Sequence, residues 1–401
     1  MDARKNPYAP GAGSPPPIMA GRDQLVETAD IALTRVQDGR PAKSFIAIGL
    51  RGVGKTVVLN KVQQIADVQG YQSAYIEAHD EMQLAQAVAI ALRPVLLRLD
   101  RTAGVKDHIQ HALGALRGFA SAFRLTYGDF NFGVEAPKGT ADSGDLAVDL
   151  PDLLLAVGQA AASRKTAVAL IVDELQYLAE RELSALIMGI HRVNQRQLPL
   201  ILFGAGLPQL RGKMGESKSY VERLFDFPTV DVLGASDARR AIVEPALSEG
   251  VTFDEDALVE IFRVTQGYPY FLQEWGHAIW LRARKSPVDL ETVIAAYHDA
   301  MRRLDESFFR VRLDRMTPTE KKYMRALADL GPGPHRSGDI AKRYGAQVTS
   351  VAPIRAGLIS KGMVYSPAHG DTAFTAPLFD DFMRREIPQL DGDFRAPLPG
   401  I

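Results

Sequence analysis

Short unbroken apolar runs alternate with stretches of helical spacing through the first half of the chain. Ser44–Ile48, Tyr71–Glu77, Ala167–Val172 and Leu200–Phe203 have the length of strands buried on both faces. Gln24–Gln37 and Thr56–Val68 place apolar residues three and four apart, which predicts helices. Strands separated by helical stretches imply an α/β fold with a parallel sheet covered by helices. After Val232 the pattern turns helical: Ser236–Leu247, Asp254–Thr265, Tyr268–Arg284 and Asp289–Leu304 are amphipathic segments separated by Gly, Pro and Asp breaks.

From Thr317 the pattern changes again. Thr317-Pro318-Thr319-Glu320 is a helix start, followed by Lys321–Leu330, Ser337–Tyr344 and Ser350–Lys361 as short helices. Met363–Ser366 and Thr372–Thr375 are β-prone and joined by a turn-rich tip, so the order predicts a winged helix-turn-helix. Between the second and third strands, Phe123, Leu125 and Tyr127 and then Phe130, Phe132 and Val134 alternate around Gly128-Asp129, a hairpin signal. The expected division is an extended Pro-rich arm over 1–20, an α/β core over 21–234, a helical lid over 235–312, a winged-helix domain over 313–390 and a tail over 391–401.

Composition narrows the functions. At 401 residues the chain exceeds the size of a single core. Its 47 basic and 48 acidic residues give a net charge of -1, which excludes the overall basic field of a nucleic-acid coat or membrane-surface protein. No cysteine is present, so disulfides, thiolate metal sites and thiol nucleophiles are excluded. The N-terminal Pro, Gly and Ser do not suit a signal peptide, and no run approaches about 18 apolar residues, so a cytoplasmic protein without a membrane partner is expected. His108 and His111 have the spacing of two ligands on one helical turn, without an evident third.

Two motifs carry chemistry. Gly49-Leu50-Arg51-Gly52-Val53-Gly54-Lys55-Thr56, with Val57 following, fits the phosphate-binding pattern GxxxxGK[ST] between a strand and a helix. Glycines let backbone N–H groups wrap phosphates, and the helix end adds partial positive charge. Lys55 would neutralise phosphate oxygens, while Thr56 would bind magnesium (Mg2+) beside ATP. The second motif, Val168–Glu174, is an apolar run delivering two carboxylates to the mouth of the sheet. Asp173 would hold the metal's hydration shell and Glu174 would polarise the attacking water, making the chain an ATPase.

With these motifs the chain resembles the AAA+ superfamily, and within it ATPases related to origin-recognition and signal-transducing NTPases. Ala20-Gly21-Arg22-Asp23 resembles the family's "VGRE" box, which implies that Gly21 and Arg22 lie near the adenine; a helix cap explains them equally. Where AAA+ proteins commonly place a polar sensor, Phe203–Pro208 offers small and apolar residues. Tyr220–Phe227 resembles the stretch carrying an arginine finger, which implies that Arg223 reaches a neighbouring subunit's γ-phosphate in a homo-oligomer. Gly267-Tyr268-Pro269 resembles the Gly-x-Pro motif that signal-transducing NTPases present to nucleotide, which places Pro269 at the ligand and implies a slow switch. The segment 317–386 holds ten Lys/Arg and seven Asp/Glu. DNA, met by Arg355 and Lys361 of the third helix, and a protein partner are therefore both open as its target.

Overall fold

The computed structural model describes residues 1–11, 14–101, 107–125, 139–217 and 220–390. They divide into a sheet unit, Arg22–Gly49 with Lys55–Val230, and a helical unit, Met1–Gly21 with Leu50–Gly54 and Asp231–Ile401.

In the sheet unit, β1 (Ser44–Ile48), β2 (Gln72–Glu77), β3 (Val168–Asp173), β4 (Leu200–Gly206) and β5 (Phe225–Asp226) form a parallel sheet in the order β2-β3-β4-β1-β5. Every residue of β1, β3 and β4 is buried, because helices cover both faces of unbroken apolar strands. These helices are α1 (Asp23–Gln37), α2 (Lys55–Val68), α3 (Leu84–Arg101), α4 (Asp107–Ala122), α5 (Leu146–Ser163), α6 (Glu180–Gln195), α7 (Gln209–Ser217) and α8 (Val221–Leu224). Four strands lie where the apolar runs place them, with β4 continuing three residues further to Gly206. The two-residue β5 is too short to leave a periodic signal.

Three helices, α3 to α5, occupy much of the stretch between β2 and β3. The expected hairpin at Phe123–Val134 lies mostly outside the described residues. Phe123 and Leu125 themselves follow the end of α4, where the Phe123 ring packs 4.8 Å from that of Phe119 and the Leu125 N–H donates to Ala120 O. Among the described residues, α5 is the one helix long and apolar enough on average to cross a membrane; Asp149 and Asp152 interrupt it, so it is not an unbroken apolar run of that length. Its Leu150, Leu153, Leu154 and Val157 are fully buried in the hydrophobic core, so its apolarity serves packing.

In the helical unit, α9 (Ala235–Ser248), α10 (Glu255–Thr265), α11 (Pro269–Arg282) and α12 (Leu290–Arg303) are the expected amphipathic helices. Residues 1–8 lie against them. The Tyr8 ring sits over Gly276, where an added Cβ would come within 2.5 Å of it, and its hydroxyl donates to Ile242 O at 2.6 Å. Trp280 Nε1 donates to Asp2 O at 2.9 Å. Beyond α12 the backbone widens into a π-helical stretch, Leu304–Phe309, that leads into α13 (Arg310–Asp314). Phe308 there stacks on Tyr270, with centroids 4.9 Å apart, while Phe309 packs against Phe379 and Phe382.

The C-terminal elements are α14 (Pro318–Asp329), β6 (His335–Arg336), α15 (Ser337–Tyr344), α16 (Val348–Ser360), β7 (Val364–Tyr365), β8 (Asp371–Phe374) and α17 (Phe379–Glu386). Thr317 and Glu320 form the capping box that starts α14. The strands pair antiparallel in the order β6-β8-β7. The helices and hairpin follow the order read from the sequence, with β6 and α17 added to it.

Candidate functional site

The glycine-rich segment Gly49–Thr56 runs from the end of β1 into the start of α2. Gly52 and Gly54 have φ of 80° and 98°, a backbone region in which side chains are strained. Around Gly54 an added Cβ would meet nothing, so its conformation alone calls for glycine. At Gly52 a Cβ would also come within 3.0 Å of the Tyr268 ring. Tyr268 is fully buried, and burial raises its pKa. The middle residue of Gly267-Tyr268-Pro269 therefore rests on the glycine-rich loop, while Pro269 is the first residue of α11. Gly267 accepts the Leu233 N–H at 2.8 Å, so closely that a Cβ on Gly267 would overlap the Leu233 carbonyl.

Lys55 opens α2 with its side chain buried. Thr56 Oγ1 donates to Asp173 Oδ2 at 2.6 Å, and the Tyr75 hydroxyl approaches the same oxygen at 3.4 Å. Asp173 Oδ1 accepts the Glu174 N–H at 2.8 Å. Asp173 is 1% exposed, and burial raises its pKa; the Thr56 hydrogen bond opposes this, and so does the charge of Lys55. The chain thus holds a buried carboxylate and a hydroxyl together at the sheet mouth, an oxygen donor pair of the kind magnesium takes. Among the described residues no group of three or more His, Asp or Glu could hold a metal by itself. The pair fits a cation that brings water and phosphate as its remaining ligands. Neither His108, exposed on α4, nor His111 belongs to such a group.

Glu174 adopts a left-handed conformation, φ 55° and ψ 38°, where β3 turns into a short 3₁₀ segment, Leu175–Tyr177. Its carboxylate accepts a hydrogen bond from Gln176 Nε2. Leu175 and Leu210 fill the space beside the two glycines at the end of β4, so a larger residue there would have to displace them. A Cβ on Gly204 would lie 2.5 Å from Leu175 Cδ1, and one on Gly206 would lie 2.4 Å from Leu210 Cδ2 and 3.0 Å from Gln176 Oε1. Packing thus accounts for the small residues over Phe203–Pro208. Tyr75 and Gln176, which touch the two carboxylates, escape motif reading because their roles arise between strands and across a turn. β2 also carries Gln72, Ser73 and Glu77, so nothing in its pattern sets Tyr75 apart.

The remaining candidates are dispersed. Gly21 has φ 67°, and a Cβ there would lie 2.8 Å from Asp237 Oδ2. Arg22 is the N-cap of α1 without a side-chain cap bond. Arg223 is exposed on α8 and, among the described residues, makes no ion pair with Glu222. On α16, Arg355 donates to Thr372 Oγ1 at 2.7 Å and to Ser366 Oγ and Asp371 O at 2.8 Å each. Lys361, at the end of that helix, pairs with Glu320 at 2.7 Å and donates to Arg315 O at 3.2 Å. Both cations are already held within the C-terminal elements.

Residues 19–203 match the family described as AAA ATPase domain. Residues 306–383 match a family described as a domain of unknown function (DUF8462). No curated protein matches the chain. Among solved structures, it is similar to the Walker-type ATPase PABY2304 of Pyrococcus abyssi, at 13% identity and TM-score 0.55, with 91% of this chain and 96% of that one covered. It is also similar, at 15% identity and TM-score 0.47 over 96% of each chain, to the Aeropyrum pernix Orc1 protein solved in complex with DNA. At these identities the first likeness speaks for the fold alone, and the second adds no weight.

Proposed function

We propose that this chain, with an AAA ATPase domain over residues 19–203, is an ATP-binding and slowly hydrolysing AAA+ switch whose C-terminal domain contacts protein. The observation that carries the catalytic reading is the hydrogen bond of 2.6 Å between Thr56 and the buried Asp173, with Glu174 next in the chain. Magnesium held there would neutralise phosphate charge. Lys55 supplies a cation to the phosphates, and the backbone N–H groups of the glycine loop from Gly49 to Gly54 hold them. Glu174 accepts a proton from water as it attacks, and the γ-phosphoryl group leaves ADP. Gly21, Arg22, Val57 and Pro269 are assigned to the nucleotide surroundings on motif position. Arg223 is assigned to act on a neighbouring subunit; its exposure, without a carboxylate partner among the described residues, supports that reading.

The test is ATP binding and phosphate release with magnesium. Absence of both from the full chain would defeat the reading. If Arg223 acts in trans, specific activity rises with protein concentration, and mixing Arg223→Ala with Lys55→Ala subunits restores part of the turnover. Activity independent of concentration would remove that role. The protein-contact reading of the C-terminal domain rests on the internal engagement of Arg355 and Lys361, which leaves α16 short of free cations for DNA.

A further inference from the structure

Gln176 sits between the two features of the site that motif reading leaves unconnected: the Glu174 carboxylate and the apolar end of β4. Its side-chain amide is used at both ends. Nε2 donates to Glu174 Oε2, and Oε1 accepts the Leu207 N–H at 3.1 Å. An amide with one end on a fixed backbone N–H and the other on a carboxylate has its orientation set, since its donor and acceptor cannot exchange without breaking both bonds. The turn that carries it is fixed as well. Lys213 Nζ donates to Gln176 O at 3.3 Å and to Leu178 O, and burial lowers the Lys213 pKa. Gly206 leaves the space that the amide fills, because a Cβ there would lie 3.0 Å from Gln176 Oε1.

We infer that Gln176 is a positioning residue that aims the Glu174 carboxylate, linking it to the end of β4, which carries no polar side chain of its own. This rests on the proposed hydrolysis by Glu174. The left-handed backbone of Glu174 gives its side chain a direction, and the Gln176 amide selects one carboxylate rotamer along it. Gln176 takes no proton and forms no bond to phosphate; it acts through Glu174.

The experiment measures kcat, KM and ATP affinity of the full chain with magnesium. Gln176→Met keeps the length and removes both hydrogen bonds. Gln176→Glu keeps an acceptor for Leu207 and places a carboxylate where the donor was, so the turn stays held in at least one of the two variants. We expect kcat to fall about tenfold to a hundredfold in both, the scale of a misaimed catalytic group. KM and the ATP dissociation constant stay within about twofold, as for an interaction used only in the transition state. Adding Gln176→Met to Glu174→Gln should change the residual turnover by less than about twofold, because residues acting as one unit are not additive. Normal turnover in both single variants, with Glu174→Gln inactive, overturns this inference alone. So does a loss of ATP affinity that matches the loss of kcat, or a full further loss in the double variant. Normal turnover in Glu174→Gln overturns the reading of Glu174 and this role with it.

Discussion

The sheet mouth and helix α16 both present charged residues where the sequence invites a ligand, and their surroundings differ. Asp173 is buried and accepts from a hydroxyl and a backbone N–H, with burial working against its charge. Arg355 has acceptors on Thr372, Ser366 and Asp371, and Lys361 has a carboxylate and a carbonyl. A charge removed from water without full compensation marks a place where something else is expected to bind. A charged group whose side chain is held by several acceptors within its own domain is part of the scaffold.

The largest expected effect tests the first half of that contrast. Glu174→Gln should lower turnover about 10²- to 10⁴-fold, the usual share of a general base, while ATP still binds. Phosphate release and nucleotide binding measured on one preparation check it, and unchanged turnover would place the water-activating group elsewhere. Next, Lys55→Ala should weaken ATP binding by about 3 kcal/mol, over a hundredfold, as removal of a buried phosphate-facing charge does. Titration calorimetry reads this directly, and a dissociation constant within a few-fold of the original would break the assignment.

Asp173→Asn separates the site's purpose from its stability. Burial raises the folded-state pKa of Asp173 above its unfolded value. Stability from the protonated group is present below the unfolded value, about 4, and is lost as pH rises through the folded value. At neutral pH the charged carboxylate is therefore a burden on the nucleotide-free protein. Asp173→Asn should raise the thermal midpoint near pH 7, with the gain vanishing toward pH 4. The same substitution should remove most of the roughly 2.7 kcal/mol that magnesium-ATP at a hundred times its Kd adds to the original. A variant destabilised at pH 7 would mean that the charge of Asp173 is fully compensated without ligand.

Sequence pattern locates the strands because a short unbroken apolar run bounded by turn residues suits a strand covered on both faces and is too short for a typical buried helix. The glycine loop is legible because its chemistry is contiguous. Asp173 and Glu174 are legible too, since they follow such a run directly. Gln176 is not, since its meaning depends on Leu207, 31 positions away in the chain. The small residues at the end of β4 are visible, but their cause, the packing of Leu175 and Leu210, is not. Within α16, no local pattern signals that Arg355 turns toward Thr372 and Asp371 on β8. Long side chains choose partners by tertiary proximity, and a helical pattern reports only that they lie on its surface.

The smallest expected effect is on DNA. A lysine or arginine that neutralises a phosphate contributes about 0.9 to the slope of log affinity against log salt on duplex DNA. Were Arg355 and Lys361 phosphate contacts, replacing both would flatten any slope by almost two units and leave the fold intact. Their internal hydrogen bonds predict the reverse. Each alanine should cost about 1–3 kcal/mol of stability, because the partners left behind are partly buried polar groups, and any residual salt slope should stay within about half a unit of the original. The full chain, compared with each variant by duplex binding across a salt series and by thermal unfolding, distinguishes the two. Flattening by about 0.9 per substitution without loss of stability would show that these side chains leave Thr372, Asp371 and Glu320 for phosphate, and DNA would then replace protein as the target of this domain.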